Sequence, residues 1–172
     1  QEIFLLLKTA GADEHGLHEA MLFKAIEDKG MEKVKIELAK KPSFNFRNAE
    51  GYLPLHLALR RNCPDIARLL LDNKHPVDAK DGNGITALMI AAEQDSREMI
   101  ELLISKGANI NEKSTKDEKT ALILAAERGN SAAVNCLVEK GADTNIEDNR
   151  KWNALTAAIL REHTSIVDKL NP

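Results

Sequence analysis

Read for its apolar and polar positions, the stretch from Thr86 to Asn111 predicts two short helices and a stop. Thr86 is suited to an N-cap, with a side-chain oxygen free to accept from a first-turn amide. Leu88, Ala91 and Ala92 then recur at helical spacing, with charged residues beyond them. Asp95 and Ser96 interrupt the run, and Ser96 can cap a second helix whose apolar face is Met99, Ile100, Leu102 and Leu103. Gly107 ends that helix, because glycine takes the left-handed C-terminal conformation at little cost. Neither helix is long enough to persist alone in water, so the pair must stack on others of its kind.

The others are present. Leu55, Leu88, Leu122 and Leu155 are separated by 33, 34 and 33 residues, and Asn45, Asp78, Asn111 and Asn145 by 33, 33 and 34. A fixed period of this length is the signature of a solenoid. The segments GYLPLHLAL, GITALMIAA and KTALILAAERGN resemble the T-P-L-H-x-A helix start of the ankyrin repeat, and KGANIN and KGADTN resemble its exit. The resemblance covers roughly residues 22–170. The tetratricopeptide repeat has a similar period, but its W-x-x-L-G pattern is missing here. The resemblance implies an all-α fold, an α-solenoid of stacked helix-turn-helix ankyrin repeats with β-turn fingers.

The register divides residues 1–172, read as a single array, into units. Residues 1–13 match the second helix and exit of a partial repeat, or a lone capping helix. With a chain that opens on Gln, this predicts a longer parent protein. Residues 14–48 form a degenerate repeat, with Glu37 where Leu70 and Leu103 sit, so its second helix is expected to be shifted or partly solvated. Pro42 stops that helix. Residues 49–81 follow, with Pro54 and Pro64 at helix starts, Leu53 in place of a capping Thr, and Lys74 in place of Gly107 and Gly141, which predicts an altered exit turn. Residues 82–114 and 115–148 are full repeats; Glu118 in place of Gly84, with one residue inserted, predicts a looser or differently shaped finger. Residues 149–172 read as a C-terminal capping repeat, with Asn153 as N-cap and polar Asp168 and Lys169 on an outer face.

Composition narrows the function. Charged residues make up 30% of the chain and the net charge is −3, a balance that argues against a nucleic-acid footprint or an electrostatic membrane surface. No apolar run reaches the length of a membrane span. Aromatic residues are only 3%, so the core is aliphatic and alanine-rich. Cys63 and Cys136 fall two repeats apart, on the order of 20 Å at the usual helix spacing, too far for a disulfide. Together with the absence of an Asn-x-Ser/Thr sequon, this predicts an intracellular setting, cytoplasmic or nuclear, or that of a secreted effector acting inside a host cell.

The resemblance places the partner surface on the concave side, made of fingers and the exposed side of the first helices. Tyr52, Ile85, Lys119 and Trp152 share one finger register, three residues before each key leucine, and hold the only Tyr and the only Trp of the chain. Such aromatics either anchor a partner or cover a neighbouring turn. The exposed side of the first helices is expected to carry Leu57, Arg60 and Arg61; Ile90, Glu93 and Gln94; Leu124, Glu127 and Arg128; and Ala157, Leu160 and Arg161. Leu57, Ile90 and Leu124 would form an apolar groove for a helix or extended peptide, or fill gaps between helices. His56 matches the motif histidine, which in the family braces the turn. His15 and His18 stand at metal-ligand spacing beside Asp13, Glu14 and Glu19, but without a supporting cysteine. His163 is expected to be solvated, and Asn45, Asp78, Asn111 and Asn145 to tie each exit loop to the next turn.

No Ser-His-Asp set, phosphate-cradling Gly loop or zinc-type Cys/His spacing is present. The sequence therefore predicts no catalytic residue, no metal and no cofactor. It predicts a monomeric array that binds a protein or peptide. Two alternatives stand beside this reading. One is a regulatory or targeting module of a larger enzyme, channel or effector. The other is a nucleotide-like ligand, with Trp152 or Tyr52 stacking on a base and Arg60, Arg61 or Lys119 meeting phosphate; the mixed signs of charge weigh against it.

Overall fold

A computed structural model describes residues 14–171, with side chains from Gly16 onward. The partial repeat or cap expected at residues 1–13 lies outside the described residues, as does the His15 side chain. The described residues hold ten helices and no strand. They fall into two compact units, one through Pro76 and one from Val77.

The first unit holds α1 (Glu14–Glu27), α2 (Met31–Ala39), α3 (Pro54–Arg60) and α4 (Pro64–Asp72). Helix α1 packs on α2 and α3, and α3 on α4. Leu17, Leu22, Phe23 and Ile26 of α1, Leu55 and Leu59 of α3, and Ile66 and Leu70 of α4 are buried. Pro54 and Pro64 open their helices at the first turn, and Leu53 supplies no side-chain cap.

Glu37 corrects one expectation. Helix α2 is neither shifted nor solvated there: the carboxylate is buried. It is held by Lys40 Nζ at 3.0 and 3.1 Å and faces His18 Nδ1 at 3.2 Å. A buried carboxylate is tolerated when paired and hydrogen-bonded. This also places His18 against Glu37. Among the described residues no group of three or more His, Cys, Asp or Glu is arranged to hold a metal.

Lys74 corrects another. It adopts φ +65°, the left-handed conformation of Gly107 and Gly141. Its exit turn keeps the same two bonds, Lys74 N–H to Leu71 O and His75 N–H to Leu70 O, both 3.1 Å. The turn is preserved, and backbone strain is what the missing glycine costs.

The second unit holds α5 (Ala87–Glu93), α6 (Arg97–Ser105), α7 (Ala121–Arg128), α8 (Ser131–Glu139), α9 (Ala154–Leu160) and α10 (Thr164–Leu170). Helix α7 packs between α5 and α9, while α8 packs between α6 and α10. Every residue from Ala87 to Ala92 and from Ala121 to Ala126 is buried. The alanines let these helices approach closely on more than one side, which a one-sided amphipathic helix cannot use. Thr86, Thr120 and Asn153 cap the first helices, accepting from Met89, Ile123 and Thr156 N–H at 3.3, 3.3 and 2.9 Å. Ser96 caps α6 through Met99 N–H.

Side chains join successive repeats of this unit. Asp95 accepts from Ala133 N–H at 2.7 Å, and Asn130 Nδ2 donates to Ala92 O and Glu93 O at 2.8 and 2.9 Å. His163 is not simply solvated: its Nε2 donates to Glu127 O at 3.1 Å. Its ring lies so close to Gly129 that a Cβ there would meet it at 2.8 Å. Asp78 and Asn111 accept from Asn109 N–H and Asp143 N–H. They therefore tie exit loop to exit loop, not exit loop to finger. The series is broken earlier in the chain, because the residue that would donate to Asn45 is Pro76, which has no N–H.

Candidate partner-binding surface

The finger register is built on a second periodic series. Asn48, Asp81 and Asp148 each fold a turn: Oδ1 accepts from the backbone N–H two and four residues on, at 2.8–3.1 Å. In the third finger Ser114 does this work through Lys119 N–H at 3.0 Å. Glu118 there takes φ +55° and Gly84 takes +76°. The finger with the inserted residue thus keeps its left-handed corner but is differently shaped, closed by Ser114 across five residues where the others are closed by an Asx side chain across four. Two fingers touch directly: Thr115 N–H donates to Gly84 O at 3.1 Å. A Cβ on Gly84 would come within 2.4 Å of Thr115 Cβ, so this glycine is required by space as well as by φ.

These turns leave Tyr52, Ile85, Lys119 and Trp152 half-buried. In the second unit they lead into a linked set of charges. Lys119 Nζ reaches Glu127 Oε2 at 2.6 Å, and Arg150 Nη2 reaches Glu127 Oε1 at 2.8 Å. The Arg150 Nε and Nη2 also bond Asp148 Oδ2 at 3.0 and 2.8 Å. The guanidinium lies 3.8 Å above the Trp152 ring. Arg128 Nη2 meets Glu93 Oε1 at 2.7 Å, joining α7 to α5. In the first unit Arg60 lies 4.9 Å above the Tyr52 ring.

Electrostatics follow from this geometry. Burial pushes the Glu127 carboxyl up, but the hydrogen bonds from Lys119 and Arg150 outweigh it and hold it below the ordinary value. For Asp148, burial is likewise outweighed, by the Trp152 and Arg150 amides and the Arg150 guanidinium. Both groups hold Arg150 firmly protonated.

The expected exposed row of the first helices needs correction. Leu57, Ile90 and Leu124 are 1%, 1% and 8% exposed, and Ala157 is fully buried. They fill the space between helices, because a first helix is buried on the side that a free amphipathic helix would turn outward. No apolar groove runs along them. What remains outward is polar: Arg60, Arg61, Gln94, Arg128 and Arg161 are exposed, and Glu93 and Glu127 are half-buried in ion pairs. Leu160 is exposed beside Ile159, so the last repeat is not polar throughout even though Asp168 and Lys169 face outward. Sequence reasoning missed Arg150. Its signal was available: it stands two residues after a turn-forming Asp and two before the only Trp.

Helix pairs repeated at this period, capped by Thr or Asn and joined by left-handed exits, define an α-helical repeat solenoid. The chain matches the family described as ankyrin repeats (3 copies) over residues 17–114 and 112–171, and it belongs to that family. It is 34% identical over 116 residues to the B-cell lymphoma 3 protein homolog of Mus musculus, covering 62% of this chain and 25% of that protein. It is 31% identical over 97 residues to the transient receptor potential cation channel subfamily A member 1 of Homo sapiens, covering 56% of this chain and 8% of the channel. It is 31% identical over 99 residues to the E3 ubiquitin-protein ligase KEG of Arabidopsis thaliana, covering 54% of this chain and 6% of the ligase. The chain therefore spans a quarter or less of the length of these relatives. Ankyrin repeats generally mediate protein–protein interaction and are generally not catalytic. Among the described residues no helix is long and apolar enough to cross a membrane.

Proposed function

We propose that this chain is a protein-recognition module that grips a partner protein or peptide through its fingers and the outward side of its first helices. One observation carries the reading. In the second unit, the fingers and first helices support a row of paired charges, Glu93–Arg128 and Lys119–Glu127–Arg150–Asp148, with Trp152 beneath Arg150. The row rests on helices whose apolar residues are buried, so it is held in place before any partner arrives. Preorganised polar groups around an aromatic suit recognition, since little ordering cost remains on binding. In this reading Ile85, Lys119 and Trp152 are the contact positions of one unit, with Glu93, Gln94, Glu127, Arg128 and Arg161 around them. Tyr52, Arg60 and Arg61 serve the other unit. Buried Cys63 and Cys136, both free thiols, suit a reducing compartment.

A second reading places the chain as a regulatory or targeting segment of a larger protein. The length of its relatives supports it. The nucleotide-like site gains no support: Lys119 is engaged by Glu127, and one face each of Trp152 and Tyr52 is taken by Arg150 and Arg60.

The test is quantitative capture from native lysate with wild type and with Tyr52→Ala plus Trp152→Ala. The double variant should retain its helical content and lose most of the captured partner. Undiminished capture would refute the assignment of these fingers.

A further inference from the structure

We propose that the cleft between the fingers of residues 81–85 and 114–119 receives the guanidinium of an arginine side chain presented by a partner. This names a partner chemistry for the surface argued above and rests on that reading for its biological occupant. The cleft has a volume of about 310 Å³ and is lined by Asp81, Gly82, Asn83, Gly84, Thr115 and Lys116. That is the low end of small-molecule sites, about 300–1,000 Å³, and suits a single side chain. Its walls are fixed by the bond from Thr115 N–H to Gly84 O.

Asp81 supplies the chemistry. It is only 4% exposed, and its Oδ1 is fully used by Asn83 N–H at 2.9 Å and Ile85 N–H at 3.0 Å. Its Oδ2 is buried and accepts no hydrogen bond from the described residues. A buried carboxylate oxygen without a donor is costly, so the site favours any cation that can reach it.

The chain shows which cation fits. Asp148 makes the same turn with the same two amide bonds, and its Oδ2 accepts from the Arg150 guanidinium at 3.0 and 2.8 Å. Asn83 stands where Arg150 stands, two residues after the aspartate, and brings no charge. A guanidinium from outside would make at Asp81 the contacts that Arg150 makes at Asp148. Its planar fork and weaker hydration suit a shielded oxygen better than an ammonium does. A lone carboxylate oxygen offers too few ligands for a metal ion. Lys116, which also lines the cleft, is exposed.

The experiment titrates the whole chain with N-acetyl-arginine amide, following the amide resonances of residues 82–85 and 115–116. N-acetyl-citrulline amide, of matching shape and no charge, is the control. Saturable shifts with the arginine compound alone are expected. Asn83→Arg should abolish them by supplying the guanidinium from within. Asp81→Asn should weaken binding about tenfold or more while keeping the turn. Asn48 shows that asparagine can do so, with Oδ1 accepting from Glu50 and Tyr52 N–H at 3.1 and 2.9 Å. No saturation, equal response to citrulline, or unchanged binding in Asn83→Arg would overturn the proposal. Binding that appears only after Lys116→Ala would also overturn it, since Lys116 would then be the resident cation. The probe needs no partner, so these outcomes stand apart from the loss or retention of partner capture above.

Discussion

The Arg150 guanidinium stacks 3.8 Å above the indole of Trp152. The same guanidinium bonds Glu127 of α7 and Asp148 of its own finger. One side chain thus joins an aromatic, a turn and the preceding repeat. An arginine can do this because its charge is delocalised over a planar fork that stacks on a ring while its edges donate, whereas an ammonium is a compact, strongly hydrated point charge with no flat face to stack.

Arg150→Ala should therefore shift the emission of Trp152, the only tryptophan, to longer wavelength and lower stability by about 1–3 kcal/mol, because Glu127 Oε1 and Asp148 Oδ2 each lose a charged donor while keeping the bonds to their other oxygens. Arg150→Lys should restore only part of the stability and little of the emission. Fluorescence spectra and chemical denaturation of the three proteins read this directly.

His75 gives a pH dependence whose sign is fixed by its surroundings. It stands where Ala108 and Ala142 stand, buried, with Nδ1 donating to Pro76 O at 3.0 Å and Nε2 accepting from Leu55 N–H at 3.5 Å. Burial lowers its pKa from 6.5 to about 4, the Pro76 carbonyl opposes this, and His56 adds to the lowering. Above pH 6.5 both folded and unfolded chains hold it neutral, so its contribution is fully present. As pH falls below that value the unfolded state binds the proton first, and about 3 kcal/mol is lost by the time pH reaches the folded value. His75→Ala should flatten the stability profile over this window. The carboxyls of Glu127 and Asp148, held low, begin to lose their contribution as pH drops below their unfolded values of 4.5 and 3.8, so the loss at Glu127 starts near the acid end of the His75 window.

Backbone strain predicts two substitutions of opposite sign. Gly107 and Gly141 have nothing within 4 Å of where a Cβ would sit, so φ alone selects glycine there. Lys74→Gly should stabilise by about 0.5–1 kcal/mol, the relief of a left-handed non-glycine residue less the added freedom of the unfolded chain. Gly129→Ala should destabilise, by about 1–3 kcal/mol, since φ and the His163 ring both oppose it. Thermal unfolding of both variants measures the difference.

Leu88 and Leu122 mark the key register and are buried in the second unit. Truncating either to Ala should cost about 2–5 kcal/mol, as core leucines do, with both helical signal and cooperativity lost earlier on heating.

The fold was legible in the sequence because each helix pair states its own boundaries. Thr86, Ser96 and Gly107 mark starts and stop within one period, and the period repeats. The caps appear where those residues predict them. What misled was the substitution of a preferred residue. Lys74 and Glu118 suggested altered turns, yet the backbone kept its left-handed corner, because the surrounding hydrogen bonds outweigh a strain of about 1–2 kcal/mol. Glu37 suggested a displaced helix, but Lys40 and His18 shield its charge in place. The surface was less legible. An isolated helix pattern assigns Leu57, Ile90 and Leu124 an outward side, with the filling of gaps between helices as the alternative it cannot separate. Stacking buries that side, and no local pattern announces it. Arg150 was hidden for the opposite reason: its importance lies in three contacts that converge only when the finger and α7 are folded.

The most direct test is hydrogen exchange on the captured complex against the free chain. Recognition through fingers and first helices predicts new protection at the amides of residues 82–86, 115–120 and 149–153, with α6, α8 and α10 unchanged. Protection confined to α6, α8 and α10, with the finger amides exchanging as in the free chain, would contradict it.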